Sequence, residues 1–590
     1  MEVKYKIETF NFDKIKSYIK IPTFQRSVVW SEDKKQNFID TVLNGLPFGS
    51  LLLYKENPTE YLLVDGLQRY TTLCDFENNP YKYIKFEEFC KEKVNAIIDE
   101  LKCSSNTNFT EVKVQIIESI KHNISFNSDV TTIVDKIISE VPLLNCNSCY
   151  RTLFGLITDI NKIFNISAVE IPLICYYGNY DELPLIFERM NANGTQLSKY
   201  EIYAAKWSNI QFEYHDTEIL QLVDEKYQGM IDKTGVEICN YQEGQIIKEQ
   251  KINLFEFCFA FGKLIHTRFC AIIFDKKEFN TSDVASIGFT LLTVILTGSI
   301  GNMNSVSKYF QNMDSKKIKN LTILKEKILE CINTVQRILD KYITLPTKTV
   351  VTKYIEHQMI CIIATLFKIR YQINVENFHI KENPNTNKIN NTFVSNMPMR
   401  YLYDIISGYW SGSGDSKISE ELSKNITDNR YLTTITASSW EQLLYDWMSE
   451  QTQKPMKKIP IENKLFLSYL FTMTGSQDKY LKTNKLFDFE YIIAKDRFQK
   501  SFKDGYALSA IGNICILPRF ETRSKQEYTL YESIDTRSTM FDIKEDALND
   551  FLYPEREEIN FIRNDFTYSN YLSFIKNRQQ YLINTFKNNL

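Results

Sequence analysis

Tyr61-Leu62-Leu63-Val64-Asp65-Gly66-Leu67-Gln68-Arg69-Tyr70-Thr71-Thr72-Leu73 is the stretch that decides how the first part of this 590-residue chain folds. A run of strand type is followed by a glycine, and then by apolar residues at helical spacing: Leu67, Tyr70, Leu73 and Cys74. The pattern predicts strand, tight turn, helix. Such a junction leaves backbone N–H groups at the helix N-terminus, where they act as a partial positive charge suited to an anion. Gln68 adds a neutral amide, and Arg69 a planar guanidinium able to grip two phosphate oxygens together. Asp65 is placed to hold a metal ion or to fix the arginine. A plainer reading of the same residues has Asp65 capping the helix and Arg69 pairing with it.

A second Gln-Arg pair lies upstream in Ile21-Pro22-Thr23-Phe24-Gln25-Arg26-Ser27-Val28-Val29-Trp30, an extended run opened by proline. Here the chain resembles the N-terminal domain of GmrSD- and SspE-type restriction proteins, whose ParB/sulfiredoxin-like core carries the signature D-G-Q-Q-R. The family's I-P-x-F-Q-R-x-x-V-W motif is matched in full by residues 21–30. The signature is matched by Asp65, Gly66, Gln68 and Arg69, with Leu67 standing where the family has its first glutamine. A third element, residues 187–198, resembles the family's F-x-x-x-N-x-x-G-x-x-L-S loop through Phe187, Asn191, Gly194, Leu197 and Ser198.

With 590 residues the chain has room for several cores. A formal charge of −3 excludes bulk polyanion binding, so any grip on nucleic acid must be local. The twelve cysteines are scattered, and only Cys146 and Cys149 form a close pair. Without a partner pair or neighbouring histidines that is a poor zinc signal, and buried thiols in a reducing compartment are the expectation. The opening residues carry no apolar signal segment, which points to a cytoplasmic protein. Residues 284–303 are uncharged and long enough to span a bilayer. Their threonines and glycines fit a buried helix ending in a Gly-Ser turn better, so no membrane partner is expected.

Residues 1–80 read as helix, extended segment, helix, strand, strand, helix. Ser31 is a suitable N-cap, Gly45 a stop, and Asn57-Pro58 a hairpin turn. Residues 81–165 carry helical and polar stretches without a clear assignment. Residues 168–176 suggest a strand, edge or irregular because of Pro172. From 208 to about 440 the pattern is helical, with residues 381–392 and 411–415 expected as surface loops.

The last 150 residues resemble an HNH nuclease module, with Glu490 and Tyr491 in its first motif and Gly512-Asn513 in its second. Tyr491 stands where the catalytic histidine belongs. All five histidines, His122, His215, His266, His357 and His379, precede residue 380. General-base catalysis by a neutral imidazole is worth about 10²–10⁴-fold, and a phenol with an ordinary pKa of about 10 is a poor replacement. Arg497, Lys500, Lys503, Arg519, Arg523 and Lys525 are interleaved with aromatic residues, a pattern that suits nucleic-acid backbone plus stacking. Interspersed carboxylates make a mixed solvated face the competing reading.

The expectation is an α+β protein in three parts: a ParB/sulfiredoxin-like nucleotide-binding domain (1–210), a helical connector (211–440) and a degenerate HNH-like ββα module (441–590). The resemblance implies a prokaryotic anti-phage protein that binds and hydrolyses a nucleoside triphosphate, ATP or GTP, with Mg²⁺, and engages DNA, modified phage DNA included. Self-association is compatible with it. On that reading Arg26 and Arg69 neutralise phosphate, Gln25 and Gln68 orient phosphate or water, Asp65 positions metal or arginine, and Asn191 with Gly194 closes the pocket. Two other readings stand beside it. One is an endonuclease using Asp488 and Glu490 to hold Mg²⁺; the other is a non-catalytic nucleotide or DNA sensor.

Overall fold

The computed structural model describes the chain apart from residues 1–2, 24, 26–29, 58–59, 103–108, 125–128, 192–202, 205, 270–280, 347–349, 454, 457, 481–484, 503–506, 538–542 and 544. It is a mixed α+β protein of two compact units, one of residues 1–209 and 223–249, the other of residues 210–222 and 250–590.

The first unit is built on a five-stranded sheet in the order β1-β5-β3-β4-β2. The strands are β1 (Tyr5–Asn11), β2 (Ile19–Lys20), β3 (Leu51–Asn57), β4 (Glu60–Asp65) and β5 (Glu170–Tyr176). β1–β5 and β3–β4 are antiparallel, whereas β5–β3 and β4–β2 are parallel. β4 is the apolar run of the opening motif. Leu62, Leu63 and Val64 are fully buried, each side chain worth roughly 1.5–3 kcal/mol relative to exposure. The expected hairpin is present: Asn57 pairs with Glu60 across residues 58–59.

Helix α1 (Phe12–Lys16) follows β1, and α2 (Glu32–Leu43) starts where its N-cap Ser31 accepts the Lys34 N–H. Gly45, at φ +66°, lies just beyond its C-cap, Asn44. α3 (Leu67–Asn78) directly follows the Asp65-Gly66 turn.

Two expectations are corrected. Residues 5–11 form a strand, not a helix. Tyr5 and Ile7 are exposed, so the period-two pattern carries no apolar face to announce it. Pro172 does not lie on an edge strand, since β5 sits between β1 and β3. β3 pairs with β5 only from Leu173 onward, so the missing proline N–H costs no rung on that side.

Among the described residues, 86–164 hold four α-helices between α3 and β5: α4 (Phe86–Lys102), α5 (Phe109–Asn123), α6 (Val130–Glu140) and α7 (Asn147–Phe164). They enclose a core of their own that includes Val94, Ile97, Ile116, Ile133, Leu153 and Ile160. After β5, α8 (Leu183–Asn191) leads to the segment of residues 192–202.

The second unit is mainly helical, with long helices at Leu254–Phe269, Thr281–Thr297, Ser315–Ile343, Glu356–Arg370, Asn387–Ile406 and Tyr568–Asn588. The long apolar run is interrupted at Gly298, whose φ is +73°, and its Ile287, Phe289, Leu291 and Leu292 are buried. Among the described residues no single helix is long and apolar enough to cross a membrane; one pair, bent by 96°, passes only when its halves are joined. The loop expected over residues 381–392 is confined to residues 383–386. His379–Glu382 pairs with Tyr371–Asn374 through Ile380 opposite Ile373, and a helix begins at Asn387. Asn383 and Asn385 do lie in that turn, whereas Lys381 is in the strand and Asn387, Lys388, Asn390 and Asn391 are in the helix.

Candidate functional site

The Asp65-Gly66 turn brings together most of the described motif residues. Gly66 itself is the N-cap of α3, at φ 102° and with no side-chain cap, so Asp65 does not cap the helix. Its carboxylate accepts from Arg69 instead, Nη2 to Oδ2 at 2.8 Å. About a fifth of each of these side chains is exposed, which leaves an accessible guanidinium at the N-terminal end of a 12-residue helix.

The space around that guanidinium is kept by two glycines. A Cβ on Gly49 would come within 2.5 Å of Arg69 Nη1, and one on Gly66 within 3.4 Å of Nη2 and 2.3 Å of Leu51 Cδ2. Both glycines have positive φ, +84° and +102°, which L side chains adopt only at a cost. Gly49 was not singled out in the sequence. Its contact is with a residue twenty positions on, and a glycine between Phe48 and Ser50 carries no local signal.

The two glutamines lock the motifs to each other. Gln25 is buried, and its Nε2 donates to the Leu63 and Val64 carbonyls at 2.9 and 3.2 Å. Gln68, also buried, accepts the Trp30 N–H through Oε1 at 3.0 Å. Trp30 then packs edge-on to Phe38 of α2, at 5.4 Å between ring centroids, and Phe38 on Phe48 at 5.7 Å. A continuous ring contact thus runs from the first motif to the residue before Gly49. The glutamine bonds, through Gln25 Nε2 on one side and Gln68 Oε1 on the other, tie the first motif to the second.

Arg26 lies outside the described residues, although its neighbours Gln25 and Trp30 both bond to the second motif. Asn191 ends α8, but its side chain, together with Gly194, Leu197 and Ser198, is also outside them. Among the described residues no group of three or more His, Cys, Asp or Glu side chains forms a metal-binding cluster.

In the second unit the Phe487–Tyr491 and Ile514–Pro518 strands pair antiparallel, with Glu490 opposite Cys515, and the Arg519–Lys525 helix follows. The chemistry expected of a nuclease is tied up. Tyr491 Oη lies 2.9 Å from Ser509 Oγ, and that hydroxyl donates to the Met456 carbonyl. The phenol is therefore the donor in that pair. Asn513, fully buried, accepts the Ile493 N–H and donates to the Leu508 and Ile493 carbonyls. Asp488 is bound by both Nε and Nη2 of Arg519, at 2.7 and 2.9 Å. Glu490 faces the buried Lys525 ammonium at 3.6 Å. Burial raises the Glu490 carboxyl above its ordinary range and lowers Lys525 below its own.

The basic residues expected to suit nucleic acid are mostly paired as well. Arg497 bonds Glu532 at 2.6 Å, and Lys500 bonds Glu527. Phe498 and Phe502 pack on Tyr571. The mixed-charge reading of this face is the one the contacts support; Lys503 lies outside the described residues.

Comparison with known proteins bears on the first unit. Residues 7–208 match the family described as GmrSD restriction endonuclease, N-terminal domain, so this region is of the GmrSD type, as its motifs indicated. The match spans both Gln-Arg motifs and the 187–198 loop, and stops short of the C-terminal region. An uncharacterized protein of Methanocaldococcus jannaschii is 24% identical over 233 residues, covering 32% of this chain and 39% of the relative. The chain therefore spans about two fifths of the length of that relative.

Proposed function

We propose that the N-terminal domain binds and hydrolyses a nucleoside triphosphate, ATP or GTP, within a restriction-type anti-phage protein whose macromolecular target is DNA, modified phage DNA included. The observation that carries the reading is the Arg69 guanidinium, held by Asp65 between Gly49 and Gly66 at the N-terminal end of α3. A fixed, partly exposed guanidinium beside helix N–H groups suits a polyphosphate. Phosphoryl transfer depends mainly on positioning and charge, and a well-placed arginine is worth about 10³–10⁵ in rate.

On this reading Arg26 supplies a second positive charge, and Asn191 with Gly194 the closing loop. Gln25 and Gln68 act by holding the two motifs in register. Asp65 supplies a carboxylate at the turn. That fits Mg²⁺ that arrives on the triphosphate, because that ion is commonly held by one or two carboxylates plus phosphate oxygens. The ion would neutralise phosphate charge; this chain's part is to orient the phosphates through Arg69.

The C-terminal hairpin is read as a nuclease centre without activity. Its tyrosine is a hydrogen-bond donor and both of its carboxylates are matched by cations. DNA engagement is carried over from what the restriction endonuclease family name implies, and the paired basic face gives it no independent support.

Hydrolysis of the four nucleoside triphosphates, with and without modified DNA, tests the reading. Arg69→Ala should remove turnover by about 10³-fold or more while α2 and α3 keep their protection against hydrogen exchange. Unchanged turnover in that variant refutes it.

A further inference from the structure

The helical insertion of the first unit contains a dithiol that the triphosphate reading does not use. Cys146 is the N-cap of the 18-residue helix α7, and its extended backbone (φ −140°, ψ 151°) turns the thiol back over the first turn. There Sγ accepts the Cys149 N–H at 3.2 Å. Cys146 is exposed and Cys149 is fully buried. From α4, Glu100 brings its carboxylate to the buried thiol, with Oε2 shielded from solvent and without a hydrogen-bond partner. Burial, then the neighbouring Cys146 and Glu100, push the Cys149 thiol up to about 12.

These features divide the labour of a thiol–disulfide exchange. The exposed sulfur, at the N-terminus of α7, is the one a small disulfide can reach. The buried sulfur is protonated at rest and has a carboxylate beside it to take the proton. Two sulfurs without histidine or further thiolate make a poor zinc site, so the pair is better suited to redox chemistry than to metal. In a reducing compartment such pairs are transient and redox-active rather than structural.

We propose that Cys146 and Cys149 form a redox-active pair that exchanges with low-molecular-weight disulfides, with Glu100 as the proton acceptor for Cys149. The Cys146 thiolate attacks one sulfur of the incoming disulfide, forming a mixed disulfide and releasing one thiolate. Glu100 accepts the Cys149 proton, and the new thiolate attacks Cys146 Sγ, expelling the second thiol. The protein dithiol is oxidised by two electrons and the small disulfide is reduced to two thiols. No other oxidant is required.

The test uses the full chain in glutathione buffers running from fully reduced to fully oxidised, followed by acid quench, alkylation and mass analysis of the peptide holding both cysteines. Wild type should lose two hydrogens in that peptide and show no lasting glutathione adduct. Cys149→Ser should trap glutathione on Cys146, and Cys146→Ser should give neither product. Glu100→Gln should slow closure about tenfold or more, so that the adduct accumulates transiently. A wild-type chain that stays a dithiol in fully oxidised buffer, or that keeps a permanent adduct on Cys146, overturns the proposal. Unaltered closure in Glu100→Gln overturns the part given to Glu100.

Discussion

Replacing Gly49 by alanine moves Arg69 without altering its charge. The added Cβ would stand 2.5 Å from Arg69 Nη1, against a comfortable separation of about 3.5 Å, so the guanidinium must give way by about 1 Å. A displacement of that size in a positioning group can cost about 10²-fold in rate. Alanine at φ +84° also destabilises the backbone by about 1–2 kcal/mol. Gly45→Ala separates the two effects. Gly45 has φ +66° and nothing within 4 Å of its would-be Cβ, so it carries the backbone cost alone. Triphosphate turnover under single-turnover conditions, with hydrogen exchange in α2 and α3 as the stability readout, distinguishes the pair. Both variants should lose protection, and only Gly49→Ala should lose turnover, by about 10²-fold. Full turnover in Gly49→Ala, or an equal loss in Gly45→Ala, refutes the claim that Gly49 sets the position of Arg69.

Other measurements follow from the ion pairs. Burial pushes the Asp75 carboxyl up, but Lys82, Tyr83 and Asn79 outweigh it and hold it below its ordinary value. A depressed carboxylate contributes stability that is present above its unfolded value of about 3.9 and is lost as pH falls through the lower folded one. Asp75→Asn should therefore cost on the order of 1 kcal/mol near neutrality, allowing for partial exposure, and nothing in strong acid, as read by urea titration across pH. Glu490→Gln strands the fully buried Lys525 and should destabilise the second unit by roughly 3–5 kcal/mol. That loss should shrink in acid, where the raised Glu490 carboxyl protonates in the wild type, and in alkali, where Lys525 gives up its proton. Asp488→Asn breaks a pair whose members are about a third exposed, and should cost about 1 kcal/mol or less. Neither change should alter nicking of modified or unmodified DNA with Mg²⁺ or Mn²⁺, and loss of nicking in both would restore the nuclease reading.

Much of the first unit was legible because its signals are local. Ser31 capping α2, the glycine stop at 45, the turn after Asn57 and the Asp65-Gly66 junction each act within a few residues of themselves. What escaped depends on partners distant in sequence. β1 exposes its apolar residues and is recognisable only through its register with β5. Gly49 matters only because Arg69 folds over it. That Gln25 and Gln68 bond to Leu63, Val64 and Trp30, across nearly forty positions, has no local signal either. In the second unit, nothing local announces that Arg519 and Lys525 face Asp488 and Glu490.

The place of β5 in the sheet bears on how this domain assembles. β1 and β3 share no hydrogen bonds with each other; each pairs instead with a strand that comes after the four-helix insertion. A chain emerging from the ribosome therefore carries two unfilled sheet edges until residues 170–176 are available, about one hundred positions after β4. During that interval the insertion, with its self-contained core, is able to condense first and bring the last strand home as a preformed arm. Sheet closure is thus a non-local step, the kind that loop entropy makes slow. The Arg69 cradle, which rests on β3 and β4, gains its finished support only when that event is over.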